Sequence, residues 1–267
     1  MTYLRQLLSG EARNPRLDLA ALELASIQYP GLDAEPFLDQ LNGLASQLGD
    51  RLRNFNDGRD FVEKAQSYLF GELGFCGNQS DYADPRNSCL NQVLERRTGI
   101  PVTLSVLYME IARRLHMPVY GIGLPRHFVL QFDDGNYSTY IDPFHGGRAI
   151  TAEDCFELAG ASIADPSLLQ RVSKKYIAMR MLRNLSEIYF RGQDFERAVA
   201  TLDFLIEGAG NGAQFYRQRG VAALRLRRFR VARQDFETYL RLEPDAADRG
   251  EVLKQIQAIH QWLAQVN

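Results

Sequence analysis

The sequence predicts an α+β domain followed by an all-α region. Apolar residues recur at helical spacing through the first 115 positions, and short β-rich runs broken by a hairpin turn occupy 117–150. A period of 34 residues, from Tyr189 to Ala223, then sets in. With 267 residues, the chain is long enough to bury more than one core.

The elements follow in order. Asn14-Pro15 reads as a cap with a proline at the first helical position. Leu17, Ala20, Ala21, Leu24 and Ile27 form its inward stripe, and Tyr29-Pro30-Gly31 stops it. Asp33 opens a second helix with Phe37, Leu41, Leu44, Ala45 and Leu48 inward, closed by Gly49. A third covers about 58–73. Asn87 is read as the cap of a short helix carrying Leu90, Val93 and Leu94, and Gly99-Ile100-Pro101 begins another through Leu115. Runs 119–124 and 127–132 read as strands, Asp133-Asp134-Gly135-Asn136 as the hairpin turn, and 137–141 as the returning strand. A core domain of 1–165 results, helical over 1–115 and with an antiparallel sheet over 117–150.

The last third is self-similar: Phe195 matches Phe229, Ala198 matches Ala232, Leu202 matches Phe236 and Leu205 matches Tyr239. Tyr216, Gly220, Ala232, Phe236 and Pro244 stand at the spacings of a tetratricopeptide repeat. Region 174–267 therefore reads as two repeats, about 179–212 and 213–246, with a capping helix at 249–265. Val252, Ile256, Ile259 and Leu263 make that helix's apolar face.

Composition narrows the classes. A net charge of −2 gives no basis for a general nucleic-acid binder, and no apolar run is long enough for a membrane span. Three scattered cysteines argue against a disulfide framework, and the N-terminus lacks a signal-peptide pattern. The expectation is a cytoplasmic protein without a cofactor.

Helix, then a strand with His127, then a strand with Asp142 is the layout of a thiol triad. In such a site the nucleophile stands at the helix start, where free N–H groups and the helix dipole favour a thiolate. That start reads Pro101-Val102-Thr103-Leu104-Ser105 and holds no thiol. His127 and Asp142 are therefore read as a retained dyad, structural or ligand-binding. Substitute nucleophiles would be Thr103 or Ser105 as hydroxyls, Cys89 from the preceding helix, or Cys76 from the Gly74-Phe75-Cys76-Gly77-Asn78 loop. No histidine pair has zinc-motif spacing, so no metal is expected; a metal here would need His127, Asp142 and His145 to converge.

Two surfaces suggest binding. Asn78, Tyr82, Asn87 and Asn91 are rich in hydrogen-bonding groups beside the dyad. Seven arginines (Arg217, Arg219, Arg225, Arg227, Arg228, Arg230 and Arg233) crowd the second repeat with no acid among them. Arg225, Arg227, Arg228 and Arg230 form the centre of a surface suited to an acidic peptide.

Gly74-Phe75-Cys76-Gly77-Asn78, Asp84-Pro85-Arg86-Asn87-Ser88, Leu94-Glu95-Arg96-Arg97-Thr98-Gly99-Ile100-Pro101, Pro125-Arg126-His127-Phe128 and Asp142-Pro143-Phe144-His145-Gly146-Gly147 follow in order. Together they closely resemble the bacterial SirB-type family, a transglutaminase-like core with C-terminal tetratricopeptide repeats. The resemblance implies a papain-related fold that keeps His127 and Asp142 but lacks the nucleophile, with an apolar aromatic residue where this chain has Cys89. A related core in a eukaryotic F-box protein looks like an interaction module. The expected function is a non-catalytic adaptor, a pseudoenzyme acting through its cleft and repeats. The alternative is a hydrolase or acyl transferase built on His127 and Asp142.

Overall fold

A computed structural model describes residues 2–11, 15–53, 57–161 and 163–266. They fall into two compact units, 1–181 and 182–267, divided inside a helix. The 166–181 segment, outside the expected core domain of 1–165, belongs to the first unit. It is tied there by the Val172 N–H bonded to the Gly121 carbonyl and by Lys174 bonded to the Pro15 carbonyl.

Helices α1 (Thr2–Ser9), α2 (Leu17–Ala25), α3 (Glu35–Arg51) and α4 (Gly58–Gln66) open the first unit. Leu17, Ala20, Ala21, Leu24 and Ile27 are buried, as their spacing predicts. The expected cap at Asn14 lies outside the described residues. Helix α2 starts at Leu17 rather than at Pro15, because Arg16 is extended: its N–H meets the Tyr3 hydroxyl and its guanidinium the Asp18 carboxylate. Gly49 does not close α3 but lies within it, and a Cβ there would come within 3.2 Å of Leu115. The glycine thus gives close approach rather than a stop. The third expected helix changes character midway: α4 is followed by a π-helical turn, Ser67–Glu72.

Strand β1 (Cys76–Gly77) pairs in parallel with β2 (Thr98–Gly99), so Cys76 sits in a strand and not in a loop. Between them lie a 3-10 turn, Pro85–Ser88, and α5 (Leu90–Arg96), whose N-cap is Cys89 and not Asn87. Asn87 is inside the 3-10 turn, because Asp84 caps it by accepting the Arg86 N–H at 2.9 Å. Helix α6 (Pro101–Arg114) is buried along most of its length.

Strands β3 (Val119–Ile122), β4 (Val129–Asp133), β5 (Ser138–Asp142) and β6 (Arg148–Ile150) form an antiparallel sheet in that order. Asp134 closes the hairpin by accepting the Asn136 and Tyr137 N–H groups. Helix α7 (Ala152–Ala159) covers one part of the sheet with Cys155 packed among Ile122, Leu124, Val129 and Ile150. Phe61 of α4 packs on Phe132 of β4 and edge-on to Tyr108 of α6.

The second unit takes up part of α8 (Lys174–Arg191) and then α9 (Phe195–Ala209), α10 (Ala213–Arg225), α11 (Phe229–Leu242) and α12 (Arg249–Val266). The 34-residue repeat extends to the backbone: Gln193 and Arg227, one at each helix turn, both have φ 58°. A Cβ on Gly220 would meet Phe236 at 2.7 Å, so that glycine lets α10 and α11 touch. Val252 and Ile259 of α12 are buried in the same cluster as Phe236 and Tyr239, with Ile256 and Leu263 partly buried beside them.

Candidate functional site

His127 does not lie on a strand. Arg126 at φ 63° turns the chain, and His127 sits two residues ahead of β4. Val129 is the position opposite Asp142 by the register that pairs Leu130 with Ile141, so the imidazole reaches the carboxylate diagonally. His127 Nε2 is 3.0 Å from Asp142 Oδ1. His127 is 8% exposed and Asp142 fully buried.

The chain then makes a 3-10 turn, Pro143–His145, with proline at its first position and Asp142 as its cap. Asp142 Oδ1 accepts the Phe144 N–H at 3.1 Å and the His145 N–H at 3.3 Å. Positions i and i+3 eclipse in such a turn, which brings His145 Nδ1 to 2.6 Å from Asp142 Oδ2. The site is therefore a His–Asp–His cluster. Burial raises the Asp142 carboxyl, but hydrogen bonds and charge from His127, then from His145, outweigh it and hold the group below the usual carboxylate range. An ionised carboxylate only accepts, so both facing imidazole nitrogens donate.

The His127 and His145 rings stack on one another (centroids 5.6 Å, 30°), and Phe144 lies beside the pair, edge-on to His127 (6.0 Å, 83°) and to His145 (5.1 Å, 88°). Gly77 abuts it from β1: a Cβ there would fall 2.4 Å from the Phe144 ring. Tyr82, half exposed, meets Phe144 edge-on at 6.1 Å. Behind the cluster, a Cβ on Gly147 would clash with Phe70 of the π-helical turn at 2.2 Å.

Thr103, Cys89 and Cys76 have partners of their own, whereas the Ser105 hydroxyl has none among the described residues. Thr103 is buried, and its hydroxyl donates to the Asn87 carbonyl at 2.6 Å. Cys89 is buried with Sγ donating to the Pro85 carbonyl at 3.5 Å, and burial, with the Asp84 charge, pushes its thiol up to about 12. Cys76 is exposed, with Sγ 3.8 Å from Thr98 Oγ1. Ser105 is fully buried.

Asn78 and Asn87 hold their own loop together. Asn78 Nδ2 donates to Asn87 Oδ1, Asn87 Nδ2 to the Asp81 carbonyl, and Asn78 Oδ1 accepts from Ser80 and Asp81. Asn91 is buried.

The arginine run is acid-free in sequence only. Arg219 forks onto Asp235 at 2.7 and 2.9 Å and also reaches Asp203 at 2.6 Å. Arg228 pairs with Glu196 at 2.6 Å, Arg217 with Asp248, and Arg233 with Glu237 at 3.6 Å. Arg225, Arg227 and Arg230 are exposed. Arg227, Arg228 and Arg230 line a depression with Phe229, Val231, Trp262 and Leu263, where the Phe229 and Trp262 rings lie 4.0 Å apart. No described helix is long and apolar enough to cross a membrane.

Residues 35–183 match the transglutaminase-like superfamily, and 185–257 match the tetratricopeptide repeat. The chain is 34% identical over 232 residues to a UPF0162 protein of Xylella fastidiosa strain 9a5c, covering 84% of this chain and 83% of that one. It is 30% identical over 242 residues to a UPF0162 protein of Pseudomonas aeruginosa, covering 88% and 87%. Over 133 residues it is 37% identical to human F-box only protein 21, covering 46% of this chain and 21% of that protein.

Proposed function

The chain belongs to the UPF0162 family, with a transglutaminase-like domain followed by tetratricopeptide repeats, and on that premise we propose that it is a protein-interaction adaptor whose core performs no acyl transfer. Tetratricopeptide repeats generally mediate protein–protein contacts. One observation carries the claim about the core. The helix start that should present a nucleophile begins with Pro101, and the nearby Thr103 hydroxyl is given to the Asn87 carbonyl. With its Nε2 on Asp142, His127 has only Nδ1 left to exchange a proton.

The partner is an acidic peptide, and the protein acts in the cytoplasm. Exposed Arg225, Arg227 and Arg230 supply forked donors, and Phe229, Val231 and Trp262 supply apolar contact beside Arg227 and Arg230. Capture of partners on immobilised full-length protein, at low and moderate salt, tests the repeats. A triple substitution of Arg225, Arg227 and Arg230 to alanine should abolish capture, and partners insensitive to both salt and substitution refute the assignment. Dilute iodoacetamide at mildly acidic pH tests the core. A cysteine alkylated fast in the wild type and slowly in His127→Ala would reveal a His-activated thiolate and revive the hydrolase alternative through Cys76 or Cys89.

A further inference from the structure

We propose that His127, Asp142 and His145 form a binding site for one divalent transition-metal ion of the zinc type. A ligand atom from each of the three lies within 4.8 Å of the other two. Tetrahedral zinc with bonds of about 2.0–2.1 Å separates neighbouring ligands by roughly 3.3 Å. The His127 Nε2–Asp142 Oδ1 and His145 Nδ1–Asp142 Oδ2 contacts, 3.0 and 2.6 Å, are at that scale, one on each carboxylate oxygen. No pair of the set needs to close by more than about 1.5 Å, and His145 is the exposed, adjustable partner, its side chain 36% accessible.

The chemistry of the set selects the ion. Two imidazoles and one carboxylate suit zinc, iron, cobalt or nickel, whereas magnesium and calcium want oxygen ligands. Binding substitutes the ion for the two hydrogens now shared with Asp142. Each imidazole then carries its proton on its other ring nitrogen, so neither ring changes charge. Three protein ligands leave a further position open, on the side where His145 meets solvent.

The surrounding groups hold this arrangement in place. Phe144 and His145 N–H bonds fix the carboxylate, and Phe144 borders the stacked imidazole pair edge-on while Gly77 abuts it. Such support around ligands is what gives a metal site its affinity. The site stands apart from the adaptor reading, which concerns the repeats and the missing nucleophile.

The test is calorimetric titration of chelator-stripped full-length protein with Zn²⁺ alone, repeated with Co²⁺ to read its visible ligand-field bands. One ion should bind per chain. His145→Ala, whose exposed site spares the fold, should weaken binding at least about tenfold, and His127→Ala likewise. His260→Ala and Cys76→Ser should leave it unchanged. Absence of saturable binding up to about 100 µM, an affinity unaltered in both His145→Ala and His127→Ala, or binding that disappears with Cys76→Ser overturns the proposal.

Discussion

Two aspartates in the first unit are fully buried, yet they keep opposite company. Asp18 is gripped by Arg16 at 2.9 Å, Arg113 at 3.5 Å and Arg114 at 2.7 Å, while Glu110 takes the second bonds of Arg113 and Arg114. Asp142 is gripped by two imidazoles and two backbone N–H groups. Burial pushes the Asp18 carboxyl up, but the guanidinium hydrogen bonds prevail and hold it down at about 2. Guanidinium groups keep their charge at every working pH, whereas an imidazole is charged only when protonated. The first cluster is a permanent tie between α2 and α6. The second has partners that can exchange a proton or accept an ion, which is why the candidate site lies there.

The two clusters should differ most at Arg114. Arg114→Ala strips Asp18 and Glu110 of a shared partner in the interior and should cost about 3–5 kcal/mol in urea unfolding. Asp142→Ala removes the acceptor of both imidazoles and both N–H groups, and should cost less, about 2–4 kcal/mol by the same measurement. Acid comes next. A carboxyl depressed in the fold stabilises above its unfolded value, about 3.9, and that contribution fades as pH falls through its folded one. Stability should therefore drop between about pH 4 and 2, with Asp142, also depressed, adding in the same direction. Asp18→Asn should flatten that limb; a limb of unchanged steepness would show that Asp18 does not drive it. The smallest effect is His145→Ala, about 1 kcal/mol or less because the ring is partly solvated. A larger loss would mean that His145 ties the fold together as Arg114 does.

Much of this was legible in the sequence and some was not. Helical stripes such as Leu17 to Ile27 and the repeat period to Tyr239 carry their own evidence, since each residue's burial follows from its neighbours' spacing. His127 and Asp142 were visible as a pair, but His127 was misplaced onto a strand because Pro125-Arg126 makes a left-handed turn. His145 had a readable signal: a proline after Asp142 starts a tight helical turn, and its third residue returns over the capping aspartate. Of the Asp18 cluster only Arg16, two residues away, was within local reach; Arg113 and Arg114 lie 95 and 96 positions away. The acid partners of Arg217, Arg219, Arg228 and Arg233 were hidden for a related reason. Local counting found no acids, but Asp203 and Asp235 arrive from positions 16 residues away on neighbouring helices.

The position of Cys76 makes the protein convenient to interrogate. It is exposed, while Cys89 and Cys155 are buried with thiols pushed up to about 12. A maleimide fluorophore would therefore attach at a single place without mutagenesis. Its next neighbour, Gly77, touches the Phe144 ring. The dye would sit one residue from the ring that borders the imidazole pair, and its emission would report any shift of that turn when an ion arrives.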